Sequence, residues 1–397
     1  QVTLRGNSKL LVVIDGIPRG ESNFWDVNAD DVEDMSILKG PAAAALYGSR
    51  GKNGAIMITT KKGGASDKIE VSVNSSFMFQ PNFVYIPETQ SVYGQGGWGQ
   101  FAYVDGKGGG TYDSDVYAWG PKLNQLDPST TSGYLELPQW NSPIDPATGQ
   151  RIPIPFISRG TNNLQNFFRT GNVISNNISI GATNERSSYR FSMTQMGQRG
   201  TDPKSRIDAT TISFSGSQRF SKLFSIESAI TYNKQYSNNY PTTSYYADNN
   251  MYNILVWMSP DIDVRELKQY WTPGKEGIEQ RNFNYAYYNN PYFIANEYLQ
   301  EYKKDVVYGF AKLLFDITPE LKLSVRSNIN WFNRYTAEKR PKGFVGYSSG
   351  YANGGFYPSN LYEFEMNNEF LFTYDKVFND NWSLNAVFGG NNRMYPV

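Results

Sequence analysis

Histidine and cysteine are both absent from the 397-residue sequence. Without them the chain cannot build a zinc site from Cys or His ligands, a disulfide framework, a thiol nucleophile or a Ser-His-Asp triad. Paired carboxylates for glycoside hydrolysis need burial, whereas the acidic residues here fall in turns, in loops or singly on polar strand faces. We therefore expect that the protein is not an enzyme, and we assign no catalytic, metal-binding or cofactor-binding residues.

The sequence also lacks an excess of either charge and any long apolar run. Its 37 Lys and Arg residues balance 37 Asp and Glu residues, so the basic character of a nucleic-acid-binding protein is missing and we expect no nucleic acid partner. No stretch approaches the roughly 18 consecutive apolar residues of a transmembrane helix. No secretion signal stands before Gln1, and we expect it to have been removed or to lie upstream.

The first 64 residues predict a small α+β unit. The apolar run of residues 10–14 is typical of a buried strand, and the Gly and Pro of residues 15–18 close it with a turn. Pro41 begins an Ala-rich helix that ends at Gly48, and residues 55–60 predict another strand.

An acidic group lies between the first two predicted strands of this unit. Carboxylates at such a position can bind calcium, but the regular ligand spacing of an EF-hand is absent. We favour capping of a short helical turn, because carboxylates accept hydrogen bonds from its free N–H groups. The group comprises Asp26, Asp30, Asp31, Glu33 and Asp34.

From about residue 67 onward, apolar and polar residues alternate, which predicts strands with one apolar and one polar face. In residues 321–331, for example, Leu323 and Val325 are apolar while Ser324 and Arg326 are polar. Aromatic residues make up 15% of the chain and fall on many of these segments. Nine segments show the pattern, near residues 69–79, 173–183, 187–197, 207–219, 224–233, 305–317, 321–331, 362–374 and 382–390.

The connections between these segments alternate between short and long. Long loops are expected near residues 81–171, 237–303 and 334–360. A transmembrane antiparallel β-barrel has short turns at one end and long loops at the other, whereas a soluble β-sandwich has no reason to sort its loops in this way. We therefore predict an all-β transmembrane barrel. Because such barrels use an even number of strands and leave no edge, nine strands indicate a fragment.

The first 64 residues resemble the second half of the plug domain of TonB-dependent outer-membrane transporters, in the SusC-like branch typical of Bacteroidetes. One departure is Gly40-Pro41, where SusC-like chains more often carry Asp-Ala. Weaker similarities to the barrel portion of the family occur at residues 119–122, 166–171, 257–260 and 290–292. The plug motifs appear in the family's order as Arg5-Gly6, Asp15-Gly16-Ile17-Pro18, Asp31-Val32-Glu33, Leu38-Lys39, the helix at 42–46, Tyr47-Gly48-Ser49-Arg50-Gly51 and Thr59-Thr60-Lys61-Lys62-Gly63.

This resemblance implies that residues 1–64 are the C-terminal half of a plug domain and residues 65–397 the N-terminal part of a barrel. The fragment would then hold about nine of roughly 22 strands. The resemblance also implies a multi-pass barrel in outer-membrane lipid that imports an oligomeric nutrient, either a glycan or a peptide. TonB-ExbB-ExbD would supply the energy, and a SusD-like surface lipoprotein would form the lid.

Two sets of residues follow from this hypothesis. The plug-motif residues expected to be structural are Asp15, Gly16, Pro18, Tyr47, Gly48, Arg50 and Gly51. The candidates for cargo contact are Arg19, Glu21, Asn23, Phe24 and Trp25. The first three offer hydrogen bonds and the two rings offer apolar faces, although the rings could instead hold the plug against the barrel wall.

Two other functions fit the same sequence. One is a siderophore or vitamin B12 receptor of the general TonB-dependent class, and the other is a non-transporting outer-membrane adhesin or scaffold. The aromatic-rich stretch of residues 236–302 also has two interpretations. For any single ring we favour packing within the long loop or an interfacial girdle over contact with a ligand in the lumen.

Overall fold

The computed structural model describes residues 10–19, 26–63, 68–82, 86, 88–101, 117–242, 245–246, 248–285, 287–346, 353–379 and 381–395. These residues contain two main β-sheets. We call residues 10–63 the N-terminal unit and the large sheet between residues 70 and 394 the wall.

The N-terminal unit is a four-stranded mixed sheet with the order β2-β1-β4-β3. The first strand pairs in parallel with the fourth, while the outer pairs are antiparallel. The parallel pair is buried on both faces, as expected for continuous apolar strands. The strands are β1 (Leu11–Ile14), β2 (Ile17–Arg19), β3 (Val32–Leu38) and β4 (Ala55–Thr60).

A short helix, α1 (Gly40–Tyr47), crosses this sheet. It has Pro in its first turn and ends at Gly48, whose φ of 60° suits glycine. Ala43 packs against Leu11, Val13 and Ala55 of the sheet. The helix predicted from the Ala-rich segment is therefore present and covers one face of the sheet.

The wall is a nine-stranded antiparallel sheet in which every strand pairs with its neighbours in the chain. This arrangement confirms the predicted antiparallel sheet and its nine segments. The described strands form an open sheet rather than a closed cylinder. In chain order they are β5 (Glu70–Gln80), β10 (Gly171–Thr183), β11 (Ser187–Arg199), β12 (Arg206–Arg219), β13 (Phe224–Asn239), β14 (Leu299–Asp316), β15 (Leu321–Arg340), β16 (Gly355–Asn379) and β17 (Trp382–Met394).

Several wall strands extend beyond the alternating segments. The alternation in β15 was recognised only to residue 331, yet its ladder continues to Arg340 and pairs there with Gly355 of β16. Hydrogen bonding between backbones needs no apolar face, so a strand can continue after the alternation fades. The loops expected near 237–303 and 334–360 are correspondingly shorter.

The long connections carry small elements of their own. They include the strand pairs β6 (Gly96–Gly97) with β7 (Gln100–Phe101) and β8 (Glu136–Leu137) with β9 (Ile154–Pro155). They also include helices α2 (Asn163–Phe167), α3 (Asn250–Tyr252) and α4 (Pro291–Glu297). An apolar cluster with Phe167, Ile262 and Leu267 among its buried members packs the loops together. No helix among the described residues is long and apolar enough to cross a membrane.

Candidate functional site

The N-terminal unit contacts one face of the wall, which we call the inner face. On β15 the inner residues are at even positions, since Asn328, Asn330 and Phe332 are buried. The intervening Val325 is 39% exposed. The alternation of residues 321–331 therefore separates an inner polar face from an outward apolar face, as the sequence predicted.

An apolar contact joins the N-terminal unit to β14 and β15. Val306, Tyr308 and Phe332 of the wall pack against the buried residues of β1 and β4. Fully burying an apolar side chain of this size stabilises a contact by about 1.5–3 kcal/mol. The partners in the N-terminal unit are Leu10, Val12, Ile14, Ile56 and Ile58.

Arg19, at the end of β2, is completely buried beside this apolar contact. Its Nε donates to Asn330 Oδ1 at 3.1 Å, and its guanidinium lies 4.2 Å from the centre of the Tyr308 ring. Burial lowers the pKa of Arg19, while Tyr308 and Asp26 oppose that shift. Among the described residues its two terminal nitrogens have no hydrogen-bond partner. The guanidinium is thus held by the wall through one hydrogen bond and one ring.

Asp26 forms a buried ionic contact with the wall. Both of its carboxylate oxygens accept from Lys304 Nζ at 2.8 Å, and Oδ1 also accepts from Gln235 Nε2 at 3.0 Å. Asp26 and Lys304 are 1% and 7% exposed. Such a pair fixes a geometry, but its net contribution to stability is small because both charges lose their hydration.

A second buried carboxylate, Asp31, contacts β11 and β12. It accepts from Arg190 at 2.7 Å and from Ser213 Oγ at 3.1 Å, and it also accepts from Ser192 Oγ. The 3-10 turn Ala29–Asp31 is capped by the side chain of Asn28. Capping by the acidic residues themselves was therefore a wrong prediction, because Asp26 and Asp31 neutralise cations of the wall. Within the described residues no acidic group is arranged to hold a metal ion.

The turn between β1 and β2 contacts β15. Arg326 donates to the main-chain oxygen of Asp15 and stacks 4.1 Å from the centre of the Phe310 ring. The Asp15 carboxylate accepts from the main-chain N–H and hydroxyl of Thr60 at 2.9 and 2.7 Å. Gly16 has a φ of +80°. The Asp-Gly-Ile-Pro motif thus forms a turn that is tied to β4 and to the wall.

The Tyr-Gly-Ser-Arg-Gly motif makes a further polar contact with the wall. Arg50 donates to Pro18 O at 3.3 Å and lies 3.4 Å from Glu365 of β16. Glu365 also accepts from Arg393 at 2.6 Å. No larger side chain fits at Gly51, since an added Cβ would lie 2.3 Å from Ala43 O. Tyr47 packs at the helix end, with its hydroxyl 3.7 Å from Met57 Sδ.

Of the five candidates for cargo contact, the structure describes Arg19, which is buried against the wall. Glu21, Asn23, Phe24 and Trp25 lie outside the described residues. Contact of this set with cargo stays a prediction. The sequence analysis does not single out the wall residues that hold the N-terminal unit. A charged residue at an inner position of a strand could have indicated them. They are Arg190, Lys304, Arg326 and Glu365.

The long loops enclose a cavity of about 500 Å³ and pack many of the aromatic residues. Trp257 stacks on Tyr288 at 5.6 Å, and Trp271 meets Phe293 edge-on at 5.3 Å. Tyr245, by contrast, is 66% exposed. Packing within the loop therefore accounts for several rings, as favoured from the sequence.

Burial raises the pKa of two carboxyl groups in the loops. Burial raises the pKa of Asp202, between β11 and β12, to about 6, and hydrogen bonding from Asn250 opposes the shift. Burial also raises the pKa of Asp261, which accepts from the main-chain N–H of Gln95 at 3.0 Å. These groups hold the loops together rather than forming a reactive pair.

Known proteins resemble both parts of the chain. Residues 1–55 match the model of the TonB-dependent Receptor Plug Domain. TonB-dependent receptor SusC from Bacteroides thetaiotaomicron is 41% identical over 92 residues, which cover 20% of this chain and 9% of that protein. TonB-dependent receptor P26 from Formosa agariphila is 37% identical over 106 residues, or 26% of this chain and 10% of that protein.

Solved structures are similar in fold to the wall as well as to the N-terminal unit. The RagAB peptide importer in its closed-closed state matches 100% of this chain with a TM-score of 0.66 at 17% identity, and the chain covers 43% of it. The open-open state of RagAB gives a TM-score of 0.66 over 98% of this chain, again at 17% identity, with 42% of that chain covered. The chain thus spans less than half the length of these structures, and the aligned segments span about a tenth of the curated relatives' length.

The chain combines a plug domain with a large antiparallel sheet similar to that of TonB-dependent barrel receptors. Its resemblance to SusC-like receptors is confirmed by the curated relatives.

Proposed function

We propose that this chain is part of a TonB-dependent importer that carries an oligomeric nutrient across the outer membrane. The main supporting observation is that the N-terminal unit lies against the inner face of the wall, where noncovalent contacts between the described residues hold it, among them Asp26 with Lys304 and Asp31 with Arg190. Such a unit can block a lumen and can also be displaced from it.

The outward face of the wall suits contact with lipid. Outward positions carry apolar side chains that are exposed in the chain alone, such as Phe191, Phe214 and Ile230. Burial of such a face in hydrocarbon would remove it from water, while the backbone groups of the strands are satisfied by their neighbours. We therefore place the wall in the outer membrane.

We propose the cargo and partners by analogy with the relatives. RagAB is named as a peptide importer and SusC as a TonB-dependent receptor. On this basis we propose a peptide or glycan oligomer as cargo, a SusD-like surface lipoprotein as lid, and TonB-ExbB-ExbD as the source of energy.

Uptake by living cells tests this function. Cells that express the protein from its native gene are given a tryptic digest of casein or an amylase digest of starch, each labelled with a fluorophore. We expect uptake of one digest, and we expect deletion of TonB to abolish it. Binding without uptake would instead indicate an adhesin or scaffold, and uptake restricted to ferric siderophores or vitamin B12 would overturn the oligomer proposal. Co-purification of a surface lipoprotein tests the lid.

A further inference from the structure

The two sides of the N-terminal unit contact the wall in chemically different ways. Toward β14 and β15 the contact includes the apolar cluster with Val306 and Phe332, beside the buried ion pair of Asp26 with Lys304. Toward β10–β13 the inner face carries short side chains and the contacts are polar: Ser215 Oγ donates to Lys61 O at 3.3 Å, and Asp31 pairs with Arg190 at 2.7 Å. The short residues on this side include Ser179, Gly181, Ser188, Ser215, Ser217 and Ala229.

Two gaps separate the N-terminal unit from the wall on the polar side. One, of about 290 Å³, lies between the Asp15–Gly16 turn and β12–β13, and Phe310, Lys312 and Arg326 of β14 and β15 border it on its other side. The other, of about 300 Å³, lies between Lys61–Gly63 and strands β5, β10 and β11. At about 30 Å³ per water molecule, each gap has room for roughly ten waters.

Both gaps lie at the end of the wall where the turns are short. Ser188 of the first gap follows the turn at residues 184–186, and Ser217 precedes the turn at residues 220–223. In transmembrane barrels short turns face the periplasm. A route through these gaps would therefore connect the lumen with the periplasmic side.

We propose that this polar side is the exit passage for cargo, and that the N-terminal unit opens it by swinging on its apolar contact with β14 and β15. The proposal rests on the function proposed above. Water can replace the hydrogen bonds of the polar side as the gaps widen, and it can rehydrate the two charges of the Asp31–Arg190 pair. Separating the apolar side exposes apolar surface to water, and nothing replaces that contact.

The lining of the passage selects the chemical class of cargo. Serine hydroxyls both donate and accept hydrogen bonds, and glycine and alanine leave room beside them. Charges of both signs occur, for example Lys312 beside Glu227 at 3.8 Å in the first gap, and Glu33 and Arg190 in the second. Such a lining suits a neutral oligomer rich in hydroxyl or amide groups rather than a strongly charged one.

Thiol labelling in cells tests the direction of opening without any cargo. This chain contains no cysteine, so Ser215→Cys and, as a control on the apolar side, Val306→Cys each introduce one thiol into it. A small fluorescent maleimide is applied to cells with and without TonB. We expect TonB to raise the labelling rate of Ser215→Cys several-fold and to leave that of the buried Val306→Cys unchanged. A rise at Val306→Cys equal to or larger than that at Ser215→Cys, or no rise at Ser215→Cys, would overturn the proposal.

Filling the passage tests its use by cargo. Ala229→Trp places a large ring on the inner face, while Ile230→Trp places the same ring on the outward face of the same strand. In cells that import one of the two labelled digests, we expect Ala229→Trp to slow uptake severalfold with surface binding retained, and Ile230→Trp to import normally. Normal import by an assembled Ala229→Trp would refute the passage while leaving the importer function intact. If wild-type cells import neither digest, the proposed function fails, and the thiol labelling still decides whether the polar side opens.

Discussion

Lys304 and Asp26 lie 278 positions apart in the chain, yet the Lys304 ammonium is 2.8 Å from both carboxylate oxygens of Asp26. We predict that Lys304→Met destabilises the seating of the N-terminal unit, but by less than the roughly 3–5 kcal/mol of a buried carboxylate left with no cation, because Arg19 remains 3.7 Å from Asp26. Limited proteolysis in increasing urea measures this effect. The double variant Asp26→Leu/Lys304→Met should recover only part of the loss, because it also removes the carboxylate beside Arg19, and a double variant as labile as the single one would contradict the argument.

The register of β15 predicts opposite effects at adjacent positions. Val325 faces outward and Ser324 faces inward, so Val325→Lys should destabilise the wall in lipid by about 2–4 kcal/mol while Ser324→Lys is nearly neutral. Guanidinium unfolding in lipid vesicles measures both. Equal losses at the two positions would show that the proposed lipid face is wrong.

Two glycines of the N-terminal unit are predicted to resist substitution. Gly16 and Gly48 have φ values of +80° and +60°, so Gly16→Val and Gly48→Val should each cost about 1–3 kcal/mol of backbone strain. At Gly16 the new side chain would also approach Arg326, whose Nη1 lies 3.1 Å from an added Cβ. The control is Ala45→Val on the exposed side of α1, which should cost less than about 1 kcal/mol.

Protease resistance of the N-terminal unit measures the strain at these glycines. The wall should still assemble in both variants, as judged by its heat-dependent migration in gels. Loss of wall assembly would show that the two units do not form independently.

The raised pKa of Asp202 predicts that the contact between the β11–β12 loop and α3 depends on pH. Asn250 Nδ2 lies 3.4 Å from both of its carboxylate oxygens. The pKa of Asp202 in the folded protein, about 6, exceeds its ordinary value of 3.8, so the stability that the protonated carboxyl contributes is complete below pH 3.8 and is lost as the pH rises through about 6. Hydrogen exchange of residues 250–252 should therefore be better protected at pH 5 than at pH 7, relative to Asp202→Asn at each pH. If the ratio of exchange protection in the wild type to that in Asp202→Asn were the same at pH 5 and pH 7, the prediction would be contradicted.

The cargo-contact set is tested at Trp25. Trp25→Ala should weaken binding of the imported digest to cells while the protease resistance of the N-terminal unit stays unchanged, because a stacking face is lost. A loosened unit with normal affinity would assign the ring to a structural role instead.

The strands of the wall could be predicted because each depends on a local alternation, as in residues 321–331. The contacts between the two units could not. Asp31 meets Arg190 across 159 positions of sequence, and a cation on the polar face of a strand has the same local pattern whether it meets water or a carboxylate. The same limitation explains why the acidic residues were assigned to capping, when Asn28 caps the turn and two of the carboxylates are buried against the wall.

The neighbour-to-neighbour order of the wall has a consequence for assembly. Each wall strand pairs with the next wall strand in sequence, and the hairpins with short turns, such as β14–β15, close their loops at little entropic cost. The N-terminal unit is synthesised first but finds its apolar partners, Val306 and Phe332, only after β14 and β15 exist. Its docking is therefore a late, long-range step in folding. Until the wall has formed, the sheet face that packs against Val306 and Phe332 stays exposed.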